Sequence, residues 1–263
     1  MEGRKKHFLL VHGACHGAWC WYKVASLLKS AGNNVTTLDL AACGVHPKRI
    51  TELESFAEYS EPLLQVLQSV PENERVILVG HSFGGLSLAL AMERFPEKIS
   101  VAVFASAALP RVGFPLSIVL EEFYKIIGPD HDMDNTYSSR ENSSDPREIL
   151  HMGTEYLSKR LYQLCTQEDI TLSKMLVRPV NIFLWDEAMT KQTNLTEEKY
   201  GSVRREYIVC GADNSWSAEF QRSMVEKSLG TQMREIDDAD HMLMLSKPKE
   251  LVHHLMDIAT KYA

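Results

Sequence analysis

A chain of 263 residues, 44% hydrophobic and 24% charged, is long enough for one large α/β domain carrying an insertion and has the apolar content of an ordinary packed core. Its 35 acidic residues outnumber 28 basic ones, for a formal charge of -7 with no basic stripe, which excludes a nucleic-acid surface built on clustered Lys and Arg. Cys15, Cys20, Cys43, Cys165 and Cys210 form no paired Cys-x-x-Cys set and read as reduced thiols of a cytoplasmic protein; Phe8-Leu9-Leu10-Val11 is too short for a signal peptide, and no segment approaches the roughly 18 apolar residues that span a bilayer.

In chain order, short apolar runs alternate with amphipathic stretches. Strands are expected at residues 7–11, 34–38, 75–79, 100–104, 205–210 and 232–236, and helices at 19–30, 55–69, 83–95, 218–228 and 247–262. This alternation predicts an α/β fold, a mostly parallel sheet flanked by helices. The strands are rich in Val, Ile and Leu without polar alternation, so both sheet faces should be covered. The pattern breaks between residues 111 and 199, where Pro115, Pro129, Pro146 and Pro179 punctuate helical patches at 115–124 and 156–164. Nearly ninety residues is too long for a loop. Residues 111–199 are therefore expected to be a helical cap over the C-terminal edge of the sheet, with 1–110 and 200–263 as the core; ligands bind at that edge in such sheets.

The most informative local pattern is Gly80-His81-Ser82-Phe83-Gly84-Gly85, directly after Val76-Ile77-Leu78-Val79 and before a helix. A serine hydroxyl is a weak nucleophile at neutral pH, so it must be lifted clear of the sheet by a sharp strand-to-helix turn and given a base. Glycines around Ser82 allow strand and helix to approach across that bend. The base needs an acid that orients it, and in this architecture they follow in the order Ser, Asp, His. Asp213, just after strand 205–210, and His241, just after strand 232–236, meet that order. Asp237, Asp238 and Asp240 are alternative acids, but they share the histidine's loop and would have to fold back on it. His253 and His254 on the terminal helix, and His131 and His151 in the cap, are expected to be solvated at the surface; His81 should point away from Ser82. Donors for a developing oxyanion are expected from the N–H groups of Phe83, at the start of the helix, and Ala14, in the small-residue loop His12-Gly13-Ala14-Cys15-His16-Gly17. A metal site at His12, Cys15 and His16 is disfavoured, because the glycine-rich stretch is no helix that would put the histidines on one face.

With Val11-His12-Gly13-Ala14-Cys15-His16-Gly17-Ala18-Trp19, Gly80-His81-Ser82-Phe83-Gly84-Gly85 and Ala239-Asp240-His241-Met242 in place, the chain resembles the plant methylesterase and hydroxynitrile lyase family of α/β-hydrolases. Leu38-Asp39-Leu40-Ala41-Ala42, Leu161-Tyr162-Gln163-Leu164-Cys165 and Tyr200-Gly201-Ser202-Val203 extend the likeness through the cap. Lyases of the family carry threonine where this chain has Gly13 and lysine, the cation that stabilises cyanide, where it has Met242; methylketone synthases have lost the serine or the acid. The intact Ser82, Asp213 and His241 resemble the esterase members, nearer to those of alkaloid pathways than to those acting on hormone esters.

The resemblance implies a serine carboxylesterase that forms an acyl-enzyme from the methyl ester of a small plant metabolite, an alkaloid-type ester or a hormone ester such as methyl salicylate or methyl jasmonate. For a β-keto or β-formyl ester the freed acid would lose carbon dioxide unaided. Phe123, Tyr124, Phe183 and Trp185 are the aromatics expected to line the substrate pocket. No cofactor or metal is expected, and the expected partner is a small-molecule ester, with no nucleic acid and no membrane; a homodimer is compatible with the sequence. The rival readings are a hormone-receptor-like binder on a hydrolase scaffold, and lyase or acyltransferase chemistry on the same three residues.

Overall fold

The structure is a computed structural model that describes residues 5–139, 148–184, 186–192 and 195–263. In chain order, β1 (His7–Val11), α1 (Tyr22–Ser30), β2 (Asn34–Leu38), α2 (Phe56–Ser69), β3 (Val76–Ser82), α3 (Gly84–Arg94) and β4 (Ile99–Ala107) form the first half. The second half closes with β8 (Arg205–Cys210), α7 (Ala218–Lys227), β9 (Thr231–Ile236), α8 (Leu243–Ser246) and α9 (Pro248–Tyr262). Between them lie α4 (Ile118–Ile126), β5 (Thr136–Ser138), β6 (Ile149–His151), α5 (Thr154–Tyr156), α6 (Gln167–Leu176) and β7 (Val180–Asn181).

Among the described residues, the main sheet has six parallel strands in the order β2-β1-β3-β4-β8-β9. Successive side chains of a strand point to opposite faces, and this divides the apolar runs between two cores. Leu9, Val11, Leu78, Phe104 and Val209 pack with α2, α3 and α7. Phe8, Leu10, Ile77, Val79, Val103 and Ile208 pack with α1 and α9. Central strands are buried on both faces as expected, but the edge strands are not: β2 and β9 keep mostly partly exposed or exposed positions, because each has a neighbour on one side only.

Two further expectations are corrected. The central strands run on past their apolar stretches, β3 to Ser82 and β4 to Ala107, because parallel pairing continues through His81 and Ser82, opposite Ala105 and Ala107. The inserted segment is not purely helical, since β5, β6 and β7 form a three-stranded antiparallel sheet. Strands of two or three residues are too short to show a period in the sequence. No described helix is long and apolar enough to cross a membrane.

Candidate active site

Ser82 ends β3 with φ of +51°, in the left-handed region that residues with a β-carbon rarely occupy. The strand stops there and α3 begins at Gly84, so the hydroxyl stands at the C-terminal edge of the sheet. Space at the bend is tight. A β-carbon on Gly84 would lie 2.4 Å from the carbonyl oxygen of His12, and one on Gly13 would lie 2.8 Å from Ser82 Cβ. The loop after β1 therefore rests directly on the turn.

The Ser82 hydroxyl donates to His241 Nε2 at 3.0 Å, and His241 Nδ1–H donates to Asp213 Oδ2 at 2.7 Å. The three residues come from the ends of β3, β8 and β9; β8 and β9 are neighbours in the sheet, and β4 lies between β3 and β8. Asp213 is 7% exposed, and a buried carboxylate needs donors. Its Oδ1 accepts from the Ser215 and Trp216 amides at 2.8 and 2.9 Å. Its Oδ2 also accepts from Ser106 Oγ at 2.7 Å and Gln221 Nε2 at 3.1 Å. Sequence reasoning missed Ser106 and Gln221, which sit in an apolar strand and on the inner face of α7 with no motif to mark them.

The alternative acids are occupied elsewhere. Asp240 is buried and accepts from Leu164 N, Met242 N and Ser246 Oγ, tying the insertion to the histidine's loop, and burial raises its pKa above the ordinary value. Asp238 pairs with Lys247, and Asp237 is exposed. Met242 is fully buried in the apolar core, so no cation stands beside His241 at that position.

Ala14 and Phe83 line the same cavity as Ser82 and His241. Among the described residues neither amide donates a hydrogen bond. Two buried imidazoles shape the Ala14 loop. His12 Nδ1–H donates to Gly13 O while its Nε2 accepts from Leu40 N, and His16 Nδ1–H donates to Ala14 O while its Nε2 accepts from Tyr162 OH. The Gly13 carbonyl and Ala14 N–H belong to one trans peptide and point in opposite directions, so the His12 bond on one side aims the amide on the other. Burial lowers the pKa of His12 and takes that of His16 down to about 4, which keeps both neutral and able to accept. The His81 ring lies 4.7 Å from that of His241; its Nε2–H donates to the His241 carbonyl at 2.8 Å, and burial holds it far below the usual histidine range.

The cavity over Ser82 is about 80 Å³ and is walled by Leu120, Phe123, Leu150, Met152, Ile182 and Trp216. Phe123 and Tyr124 both line it. Phe183 does not; it is fully buried in the core, where its ring packs 5.7 Å from that of Phe56 and 5.4 Å from that of Tyr59, both on α2. Trp185 lies outside the described residues. His131 is also corrected. Instead of facing solvent it lines the cavity, edge-on to Phe123 at 5.3 Å and to Tyr156 at 5.9 Å, and burial lowers its pKa. A wider groove of about 560 Å³ adjoins the cavity and shares Tyr124, Asp132 and Ile182 with it. No group of three or more His, Cys, Asp or Glu side chains among the described residues is arranged to hold a metal ion.

Known proteins resemble this chain over nearly its whole length. A family model described as the Alpha/beta hydrolase family matches residues 8–254. Polyneuridine aldehyde esterase of Rauvolfia serpentina is 45% identical over 97% of this chain and 96% of its own length. A crystal structure of polyneuridine aldehyde esterase superposes with a TM-score of 0.93, covering 97% of this chain and 100% of that one. Methyl jasmonate esterase 1 of Vitis vinifera is 47% identical across 100% of both chains. Tomato methylketone synthase I, solved with 2-tridecanone, is 40% identical with a TM-score of 0.90, covering 99% of this chain and 100% of that one. Sheet order and full-length likeness agree, and the chain belongs to the alpha/beta hydrolase family.

Proposed function

We propose that the protein is a serine carboxylesterase that hydrolyses the methyl ester of a small plant metabolite. The observation that carries this is the unbroken hydrogen-bond chain from Ser82 through His241 to Asp213 at the floor of a mostly apolar cavity. His241 takes the Ser82 proton as Oγ adds to the ester carbonyl, and returns it to the methoxide, which leaves as methanol. Asp213 fixes the Nδ1–H tautomer and stabilises the imidazolium. The amides of Ala14 and Phe83, the latter at the N-terminus of α3, donate to the oxyanion, each worth about 3 kcal/mol of transition-state stabilisation. Water then attacks the acyl-enzyme with His241 again as base, releasing the acid and restoring Ser82.

The cavity beside Ser82 suits the reacting ester group, and the adjoining groove suits the remainder of the acyl portion. Its apolar lining, and the ester-hydrolase relatives acting on an alkaloid aldehyde ester and on methyl jasmonate, support a compact, largely apolar acid component. Gly13 and Met242 favour hydrolysis over cyanide release. The cysteines are free thiols, four of them buried, which supports a reducing, cytosolic setting.

The test is turnover of p-nitrophenyl acetate and a panel of methyl esters by the wild type and by Ser82→Ala. An esterase gives acid and methanol in the wild type and loses roughly 10³-fold or more in kcat in the variant while staying folded. A binder on this scaffold shows negligible turnover in both and equal ligand affinity, and that result refutes the proposal.

A further inference from the structure

Ser106 is the odd residue of β4. Along the pairing with β3, His81 faces Ala105 and Ser82 faces Ala107, so Ser106 is the extra residue of a bulge opposite the nucleophile turn. Its φ of +41° is in the left-handed region, a strained state for any residue with a β-carbon. Glycine would make such a bulge without strain. The hydroxyl placed there is fully buried, donates to Asp213 Oδ2 at 2.7 Å, and lies 3.4 Å from His241 Nδ1.

We propose that Ser106 is a positioning residue of the Ser82, His241, Asp213 set, holding the carboxylate oxygen that accepts the hydrogen bond from His241 Nδ1 and sharing in the stabilisation of its charge. The proposal rests on the esterase reading above. Asp213 Oδ2 is shared by three donors, Ser106, His241 and Gln221. Each donor that stabilises the carboxylate charge weakens the hold of that charge on the imidazolium. Without the hydroxyl the carboxylate charge is less shared, and it holds the imidazolium formed during turnover more strongly. Orientation suffers too, since Oδ2 loses the contact that fixes it from the β4 side.

Other titratable groups face this pair. From the β3 end and the loop after β1 come His81 and His16, both kept neutral by burial. Tyr207 and Cys210 on β8, and Tyr156 from the insertion, are pushed upward by burial. His131 and Asp240 complete the set, the first lowered and the second raised. All are the same in wild type and Ser106 variants, so a difference between their pH profiles reports the hydroxyl.

The experiment is the pH dependence of inactivation by a serine-directed fluorophosphonate, which needs the three residues but no particular ester, with p-nitrophenyl acetate hydrolysis in parallel. Ser106→Ala and Ser106→Gly both remove the hydroxyl, but glycine also relieves the backbone strain that alanine, like the native serine, keeps. Both are expected to move the acid limb upward by about half a pH unit and to lower the maximal rate about 3- to 10-fold, with KM little changed. An acid limb of Ser106→Gly that coincides with that of the wild type overturns the proposal and leaves Ser106 as bulge packing. A wild type that neither reacts with the phosphonate nor hydrolyses esters overturns the esterase reading first, a separate and recognisable failure.

Discussion

Removing an imidazole from water penalises its charged form, and His16 is 2% exposed with both ring nitrogens engaged. Its pKa falls from 6.5 to about 4 on folding, chiefly through burial. The unfolded chain thus binds this proton first as pH drops. The contribution of neutral His16 is complete above pH 6.5 and is lost as pH falls through about 4, a swing of about 3 kcal/mol. Urea midpoints between pH 7 and 4.5 should fall less steeply for His16→Gln, whose amide can replace both hydrogen bonds without titrating, than for the wild type; parallel curves would refute the assignment. At this scale Ser82, Asp213 and His241 were legible in the sequence, because the chemistry demands those residue types at strand ends in a set order. His131 was not. Whether a histidine in a loop meets water or a ring depends on Phe123 and Tyr156, neither of them its sequence neighbour.

Helix α7 shows how an element carries a polar task within an apolar face. Ser217 caps it by accepting from Phe220 N, and Phe220 and Met224 turn into the core. Gln221 lies between them, fully buried, accepting from Cys210 N and donating to Trp216 O and to Asp213. It joins the end of β8 to the start of α7 and holds the turn that presents the carboxylate. Gln221→Leu fills similar volume but strands a buried amide and a carbonyl, for a loss of about 1–3 kcal/mol in urea denaturation. A fall in kcat larger than the change in KM should accompany it; unchanged kcat would show that the Asp213 turn holds without it. Apolar period revealed this helix within one residue of its end, whereas the buried glutamine read as an ordinary polar position, because propensity does not show which polar side chain faces inward.

Across the whole molecule, two cores clamp the sheet from either face while the inserted segment closes over its C-terminal edge. Phe123 belongs to both the cavity and the packing, touching Trp216 at 5.3 Å and Phe220 at 5.6 Å. Phe123→Ala is expected to cost about 3–5 kcal/mol and to widen the cavity, so the ratio of kcat/KM for bulky to small acyl methyl esters should rise. A falling ratio would place the acyl group elsewhere. The sequence by itself determined the α/β alternation, the parallel sheet and the placement of Ser82, Asp213 and His241 at strand ends, because these follow from side-chain period and strand-to-helix turns, both of them local constraints. Only the tertiary structure decided that Phe183 is core rather than pocket, that β5, β6 and β7 form a sheet, and that Ser106 and Gln221 share the carboxylate of Asp213. Those outcomes depend on which distant segments meet, and a contact between residues 106 and 213 leaves no periodic trace in either neighbourhood.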